Sequence, residues 1–344
     1  MQGEAMRAGV YKGNSLIQTE EIPTPNPGPN QIVVRVKYSA ICGSDVHGWQ
    51  YDVVAPGHVL GHEFYGEVHS IGSNVSKWKV GDRVTGGGEP PPALDTNLVR
   101  GPRFNYRTQG MTRVEIRAYA EYMLMEEWAA LEIPNEVSDE EASLAEPISV
   151  AVHAVRKSNL KLGDTVLIIG AGPIGLFCIQ TAKAAGASNV IVSELNDSRR
   201  TAAKAVGADH LINPGSENLD NRLMELTGGK GADIVFECAA AQPTIDQALD
   251  SATRNGQVIL VAIPWTPVSI MPVNWQAREI ELITVFGAKP RDWRIGLELI
   301  RTGKINVSPL INESSFIQLD NLQEAFKTLS DPSSTDQIQM IVKL

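Results

Sequence analysis

The fold is decided by a strand, a glycine-rich turn and the start of a helix in the stretch Thr165-Val166-Leu167-Ile168-Ile169-Gly170-Ala171-Gly172-Pro173-Ile174-Gly175. Its GxGxxG spacing has a physical reason at each glycine. Gly170 permits the tight turn, Gly172 lets the backbone approach a pyrophosphate, and Gly175 lets the helix pack closely on the strand. The positive end of the helix dipole then faces the phosphates. The stretch therefore predicts a dinucleotide-binding turn, with Pro173 and Ile174 among its cofactor contacts.

Strands and helices alternate after this turn. The apolar patterning predicts strands at 189–194, 232–237 and 257–262, with helices at 173–185 and 199–206. A βαβαβ alternation of this kind favours a doubly wound parallel sheet, the α/β fold class known as the Rossmann fold.

The choice between NAD and NADP depends on the end of the second strand. A carboxylate at Glu194 can accept both ribose hydroxyls of NAD and would repel the extra phosphate of NADP. Arg199 and Arg200 could instead meet that phosphate. We favour NAD because Glu194 lies at the strand end, whereas the arginines lie in the next helix, and we count Arg199 among the candidate cofactor contacts.

The first 150 residues have a different pattern, made mainly of short strands. Residues 31–38 and 64–71 are strand-like, and turn signals such as Pro25-Asn26-Pro27-Gly28 separate the runs. This pattern favours a small, barrel-like β domain. Helical patterning begins at Ser138, which opens a capping box with Glu141.

A set of metal-binding residue types lies within this β region. It consists of the run Cys42-Gly43-Ser44-Asp45-Val46-His47, then Gly61-His62-Glu63, and later Glu146-Pro147. A thiolate, an imidazole and carboxylates form a ligand set that suits zinc. Because zinc can polarise an alcohol oxygen and a nicotinamide can accept a hydride, the two motifs together predict an alcohol dehydrogenase.

Composition narrows the functional classes. The chain has 344 residues and a formal net charge of -10, which favours two domains and disfavours nucleic acid or an anionic membrane as a partner. No apolar run reaches the roughly 18 residues that span a bilayer. Three cysteines do not form a disulfide framework, and we see no secretory signal. We expect a cytoplasmic protein with a small-molecule substrate.

Over nearly its whole length the chain resembles the zinc-containing medium-chain dehydrogenases, within them the sorbitol (polyol) and butanediol dehydrogenase branch. The motifs quoted above carry the resemblance, together with residues 80–84 and 207–209. It implies a GroES-like β-barrel catalytic domain over residues 1–152 and 290–344, and an NAD-binding Rossmann domain over residues 153–289. It also leads us to expect a homo-oligomer, either a dimer or a tetramer.

The resemblance also assigns roles to the metal-site residues. Cys42 and His62 would be zinc ligands, and Glu146 would replace the third cysteine ligand of other alcohol dehydrogenases. Glu63 would bind zinc directly or move in when water or substrate leaves. Asp45 would orient His62 from behind.

A proton path follows from the same resemblance. Ser44 would hydrogen-bond the substrate oxygen and accept its proton, which would pass through the cofactor ribose to His47 and water. Trp49, Tyr51 and Tyr119 are candidate walls of the substrate pocket by position.

Two departures from the family pattern bear on metal and substrate. Many members carry a lobe of four cysteines that binds a structural zinc, and this chain has no cysteine there, so we expect one catalytic zinc per subunit and no structural zinc. An arginine-rich stretch occupies that place: Arg100, Arg103, Arg107, Arg113 and Arg117. It is either a surface or subunit-contact loop, or a site for an anionic substrate. The polyol branch often has an arginine after the position of Phe286, where this chain has Gly287, so the alcohol is left open.

Three functions are therefore weighed. The first is a zinc- and NAD-dependent dehydrogenase of a secondary alcohol, such as a polyol or a sugar derivative. The second is a reductase of a carbonyl or an activated double bond in the same family. The third is a cofactor-binding protein without turnover, which would be expected to have lost Cys42, His62 or Ser44, and all three are present.

Overall fold

The structure, a computed structural model, describes residues 5–88, 116–331 and 335–344. Its strands are β1 (Ala5–Gly13), β2 (Leu16–Pro23), β3 (Gln31–Ala40), β4 (Glu63–Ile71), β5 (Arg83–Thr85), β6 (Tyr122–Glu126), β7 (Leu131–Glu132), β8 (Thr165–Ile169), β9 (Asn189–Ser193), β10 (His210–Ile212), β11 (Ala232–Glu237), β12 (Ala252–Leu260), β13 (Glu281–Thr284), β14 (Phe316–Gln318) and β15 (Ile341–Lys343).

The helices are α1 (Gly43–Gln50), α2 (Asp139–Ser143), α3 (Ala145–Lys157), α4 (Pro173–Ala185), α5 (Asp197–Ala205), α6 (Leu219–Thr227), α7 (Gln242–Ser251), α8 (Pro272–Gln276), α9 (Pro290–Arg301) and α10 (Leu322–Ser330). Within the described ranges, none of these helices is long and apolar enough to cross a membrane.

The chain divides into two compact units. The first contains residues 1–146 and 312–344, and the second contains residues 147–311. The sequence predicts domain boundaries at 152/153 and 289/290. Residues 290–311 were therefore expected in the first unit, but they pack with the second.

The first unit is built around β3. This strand pairs antiparallel with β4, β6 and β15, in a sheet whose order is β14-β15-β3-β4-β5-β7. Ile32, Val34 and Val36 alternate along β3, and all three are fully buried together with Val68 and Val84 from neighbouring strands. Because these β-branched side chains pack on one face of the strand, they fix its register. The register of β3 in turn fixes where the chain leaves the strand, just before residue 42.

The C-terminal segment holds that strand end in place. The Ile41 amide donates to the Met340 carbonyl over 2.9 Å, and the Gln339 side chain donates to the Ile41 carbonyl over 3.0 Å. The residue just before Cys42 is therefore tied on both backbone groups to a segment nearly 300 positions away.

The second unit contains a six-stranded parallel sheet with the order β10-β9-β8-β11-β12-β13. This confirms the predicted doubly wound sheet. The helix expected at 173–185 is α4, and the strand expected at 257–262 begins earlier, at Ala252. The central strand β8 is an apolar run buried on both sides, with Val166, Leu167 and Ile168 fully covered.

A buried carboxylate attaches α9 to the second unit. Asp292 is fully buried, and it accepts from His153 Nδ1 over 2.8 Å, from the Arg156 guanidinium, and from the Lys289 amide over 2.9 Å. Trp293 and Leu297 are also buried on this helix. These contacts attach α9 to the second unit, since loss of His153 or Arg156 as a partner would leave the Asp292 charge buried and uncompensated.

Candidate metal and dinucleotide sites

Cys42 precedes the first turn of α1. Its backbone is extended at the N-cap position, and its carbonyl accepts from the amides of Asp45 and Val46 at 3.1 and 3.2 Å. The turn brings Ser44 back toward the cysteine, so that the Ser44 hydroxyl donates to Cys42 Sγ over 3.2 Å. The predicted proton acceptor and the predicted thiolate ligand are therefore adjacent.

His62, just before β4, and Glu63, the first residue of β4, reach the same place. Cys42, His62 and Glu63 each offer one ligand atom, and these three atoms all lie within 4.8 Å of one another. Among the described residues this is the only group of at least three such side chains. The structure thus brings together three of the four predicted ligands.

The electrostatics of this group are those of a cation site. Burial and the Glu63 charge raise the pKa of the Cys42 thiol to about 11. Burial and the charge of Glu146 raise the pKa of Glu63 to about 8. Both shifts arise because negative groups are crowded into a poorly solvated space, which a divalent cation would relieve.

Asp45 lies behind His62, as predicted. Its carboxylate is fully buried, and its Oδ1 is 3.3 Å from His62 Nδ1. Burial alone would raise the pKa of Asp45, but the charge and hydrogen bond of His62, the hydroxyl of Tyr119 and the charge of Arg117 together lower it. Burial opposes a charge on His62, and Asp45 and Cys42 outweigh it, so the pKa of His62 is raised. A carboxylate in this position fixes the orientation of a ligand imidazole.

Glu146, the fourth predicted ligand, is the second residue of α3 and is half-buried. It lies outside the group of three, although its charge is felt by Glu63. Burial raises the pKa of Glu146 as well.

His47 is one turn further along α1. Its Nδ1 is buried, and its ring centre lies 5.9 Å from the ring centre of Tyr51. Burial lowers the pKa of His47, against a hydrogen bond with Gln50 that raises it. A neutral imidazole of this kind can accept a proton at neutral pH.

The residues present fit a zinc ion. Their donor set is a sulfur, an imidazole nitrogen and carboxylate oxygens, which is the chemistry that zinc prefers. Glu63 Oε2 is also buried and has no hydrogen-bond partner among the described residues, a costly state for a carboxylate oxygen that a ligated metal would remove.

The glycine-rich turn of the second unit has the predicted geometry. Gly170 has φ +89, and a Cβ there would lie 3.0 Å from the Cβ of Ala239. A Cβ on Gly175 would lie 2.0 Å from the Gly170 carbonyl oxygen, which no side chain allows. A Cβ on Gly172 would meet only the Arg199 guanidinium, at 3.9 Å. Gly172 is therefore not required for internal packing, and its bare backbone fits the close approach of a pyrophosphate.

Glu194, Arg199 and Arg200 make different contacts near the glycine-rich turn. The Glu194 carboxylate accepts from the amides of Ala171 and Asn196 at 2.7 and 2.8 Å, which holds it against the glycine-rich turn. Arg199 also lies at the turn. Its Nε is buried and has no hydrogen-bond partner within the part of the chain that the structure describes. Burial lowers the pKa of Arg199, while the charge of Glu194 acts to raise it. Arg200 instead donates to the carbonyls of Glu194 and Leu195.

Glu237 contributes to the dinucleotide site without having been predicted. It is fully buried at the end of β11, and its Oε1 accepts from the amides of Ala239 and Ala240 and from the Thr244 hydroxyl, over 2.8–3.0 Å. This carboxylate shapes the loop that packs against Gly170. The sequence signal that was available is a charged residue directly after an apolar strand.

The aromatic residues expected to line the substrate pocket have different positions. Tyr119 is fully buried and Trp49 is 7% exposed, whereas Tyr51 is 39% exposed. Tyr119 donates to Asp45 Oδ2 over 2.8 Å, a contact that sequence reasoning missed. Within the arginine-rich stretch, Arg117 is described and half-buried, and residues 100–113 lie outside the described residues.

Family models match both units. Residues 28–135 match the alcohol dehydrogenase GroES-like domain, and residues 173–302 match the zinc-binding dehydrogenase domain. A sorbitol dehydrogenase from Halalkalibacterium halodurans is 32% identical, over 92% of this chain and 94% of its own. A D-arabitol-phosphate dehydrogenase from Enterococcus avium is 33% identical, over 95% of this chain and 93% of its own.

Solved structures agree with this assignment. A zinc-binding dehydrogenase from Sinorhizobium meliloti, bound to NADP, superposes with a TM-score of 0.86 and 28% identity, covering 99% of this chain and 100% of the other. The fold and the two sites thus define an oxidoreductase with a metal-binding GroES-like unit and a Rossmann unit. The chain belongs to the zinc-containing medium-chain alcohol dehydrogenase family.

Proposed function

We propose that this protein oxidises a secondary alcohol of a polyol or sugar derivative, with zinc as the metal and NAD as the hydride acceptor. The observation that carries the proposal is the group of three ligand atoms from Cys42, His62 and Glu63 within 4.8 Å. Membership of a family that includes sorbitol and D-arabitol-phosphate dehydrogenases supports the substrate class.

The residues of this chain divide the chemistry among them. Cys42, His62, Glu63 and Glu146 would hold the zinc, which acts as a Lewis acid toward an alcohol oxygen when it is bound. Ser44, placed against Cys42 Sγ, would accept the hydroxyl proton of the substrate while releasing its own proton toward His47. His47 carries a lowered pKa and is the next acceptor on the way to water.

The metal assignment predicts about one zinc per chain by elemental analysis of the purified protein. Cys42→Ala removes a ligand and is expected to lose both the zinc and the activity, because no other sulfur is in the group of three. Cys178→Ala is the matched control, since Cys178 is a fully buried cysteine of the second unit. Two zinc ions inside each chain, or full zinc retention in Cys42→Ala, contradict the assignment.

We also propose a preference for NAD over NADP. The Glu194 charge would stand near the added phosphate, and repulsion between two such charges in a partly solvated site is on the order of 2 kcal/mol, or about 30-fold. The Sinorhizobium meliloti structure contains NADP, so the preference between NAD and NADP has to be measured for this chain.

The cofactor preference is measured as the ratio of kcat/KM for NAD and NADP. Glu194→Gln keeps the size of the side chain and removes its charge, so we expect the ratio to fall about 30-fold. Glu225→Gln removes a charge from an exposed side chain on α6 and should leave the ratio unchanged. A wild-type preference for NADP would show that Arg199 binds the phosphate and that the proposal is wrong.

The arginine-rich stretch supports a polar or anionic substrate. Arg117 is half-buried, and its charge acts on Asp45 at the metal site. The relative that acts on D-arabitol phosphate supports an anion at this place. We propose that Arg113 or Arg117 helps to bind the substrate, or closes a subunit contact beside it.

The substrate experiment compares D-arabitol with D-arabitol phosphate, alongside sorbitol, an acyloin and a sugar acid. Arg113→Ala or Arg117→Ala should raise KM for the phosphorylated or acidic compound about tenfold, the range of one lost charge-assisted contact. Arg222→Ala, on the exposed surface of the second unit, is the control. Unchanged KM values and unchanged assembly in both variants contradict the proposal that these arginines bind the substrate or close a subunit contact.

We propose further that the protein is a homo-oligomer. Strand β13 ends the parallel sheet, and among the described strands it pairs with β12 alone. Large apolar side chains are exposed in the segment leading to this strand, with Met271 at 68% and Val273 at 61%. An uncovered sheet edge beside exposed apolar groups favours association with a second copy.

Sedimentation equilibrium tests the oligomer. We expect a dimer or tetramer for the wild type and a shift toward monomer for Met271→Asp. Leu162→Asp is the matched control. Leu162 is 89% exposed but lies before β8 and not in the segment leading to β13, so the assembly of this variant should be unchanged. A monomeric wild type refutes the proposal.

A cytoplasmic location is the last part of the proposal. Cys42, Cys178 and Cys238 are all free thiols, which is usual in a reducing compartment. Recovery of the protein in the membrane or secreted fraction of its host cells would contradict this location.

A further inference from the structure

Tyr119 donates a hydrogen bond into the support of the metal site. Its side chain is fully buried, and its hydroxyl lies 2.8 Å from Asp45 Oδ2. The other oxygen of Asp45 is 3.3 Å from His62 Nδ1. A hydrogen bond from Tyr119 and an ion-pair contact with the imidazole therefore meet on the two oxygens of one buried carboxylate.

The segment around Tyr119 also holds the backbone before His62. The Tyr119 amide donates to the Leu60 carbonyl over 2.9 Å, and the Ala118 amide donates to the Gly61 carbonyl over 3.2 Å. Gly61 has φ +99, and a Cβ there would lie 2.9 Å from the Tyr119 backbone nitrogen and from its ring. Gly61 must therefore be glycine for Tyr119 to pack in this way.

The hydroxyl of Tyr119 has two acceptors for its single proton, Asp45 Oδ2 at 2.8 Å and the Ala40 carbonyl at 3.3 Å, and the shorter contact to the charged oxygen is the stronger one. The ring of Tyr119 meets the Phe326 ring edge to face at 5.9 Å, a contact that phenylalanine would make equally well. Among the described residues, the Tyr119 hydroxyl is the group that donates a hydrogen bond to Asp45 Oδ2. Without it a buried carboxylate oxygen would be left unsatisfied, and Asp45 would be less firmly oriented toward His62.

We propose that Tyr119 is a positioning residue that holds His62 in its metal-binding orientation through Asp45. The inference rests on the proposed function, because it takes His62 as a zinc ligand. It assigns to Tyr119 a role in metal retention in place of the pocket wall expected from its position in the sequence.

The rate of zinc release to a chromogenic chelator tests this inference directly. Tyr119→Phe keeps the ring and removes the hydroxyl. Loss of a partner that supports a metal ligand costs about 10–100-fold in metal affinity, and Tyr119 is one contact further out. We therefore expect zinc release to accelerate about 3- to 10-fold in Tyr119→Phe, a smaller effect than that of Asp45→Asn.

Tyr11→Phe is the matched control. Tyr11 is also a buried tyrosine of the first unit, and its hydroxyl also donates to an aspartate, Asp52, which is outside the group of ligands. Both Tyr→Phe variants should lower the thermal unfolding temperature to a similar extent. Only Tyr119→Phe should change the rate of zinc release.

A double variant shows whether Tyr119 acts through Asp45. If it does, Tyr119→Phe should add less than twofold to the release rate in the Asp45→Asn background, because the acceptor of its contact has already been altered.

The outcomes separate the inference from the function it rests on. A wild type that binds one zinc, with Tyr119→Phe releasing it at the wild-type rate, overturns the inference and leaves the proposed function intact. Equal acceleration in Tyr119→Phe and Tyr11→Phe assigns the effect to general destabilisation and also overturns it. A wild type that retains no zinc overturns both.

Discussion

The buried carboxylate of Asp45 is the constraint on which the metal-binding unit depends. A charge without solvent must be compensated by its neighbours, and here those neighbours are His62, Tyr119 and Arg117. His62 comes from one part of the chain and the segment 117–119 from another, so their convergence on one carboxylate constrains how these two segments pack around the residues that carry the ligands. The charge on Asp45 thus specifies the geometry around His62 as well as supporting its function.

The dinucleotide-binding unit uses carboxylates in a related way. Glu194 follows β9 and Glu237 ends β11, the two strands that flank β8, and both accept backbone amides of the loops that leave the sheet. A carboxylate that accepts several amides shapes a loop without a large side-chain core. In the same unit, Asp292 ties α9 to α3 through His153 and Arg156.

The glycines show where backbone geometry decides function. Gly175 cannot carry a side chain because the helix lies too close to the turn, while Gly172 has open space at the same turn. Gly175 is required for packing, whereas Gly172 leaves its backbone open in a way that fits the close approach of a pyrophosphate. Both residues are glycines in the sequence motif, and only the three-dimensional structure shows which of them packing requires.

The fold could be predicted well from the sequence because its signals are local. The apolar strand at 165–169, the glycine spacing after it and the alternation beyond it each depend on residues close together in the chain, and together they predict the parallel sheet. The metal-ligand types were also readable, since Cys42, His62 and Glu63 have few other reasons to appear in such runs. The domain boundary was harder to place, because it depends on Asp292 meeting His153, which lies 139 residues away.

The sequence by itself determined the class of chemistry, through which functional groups are present and at what spacing. Only the tertiary structure decided which groups meet: that Arg199 faces the glycine-rich turn while Arg200 binds nearby carbonyls, and that Tyr119 supports Asp45. The physical reason is that a hydrogen bond or an ion pair depends on distances of about 3 Å between atoms. Local patterns in a chain specify strands and turns, but such distances between remote residues arise only when the whole unit is packed.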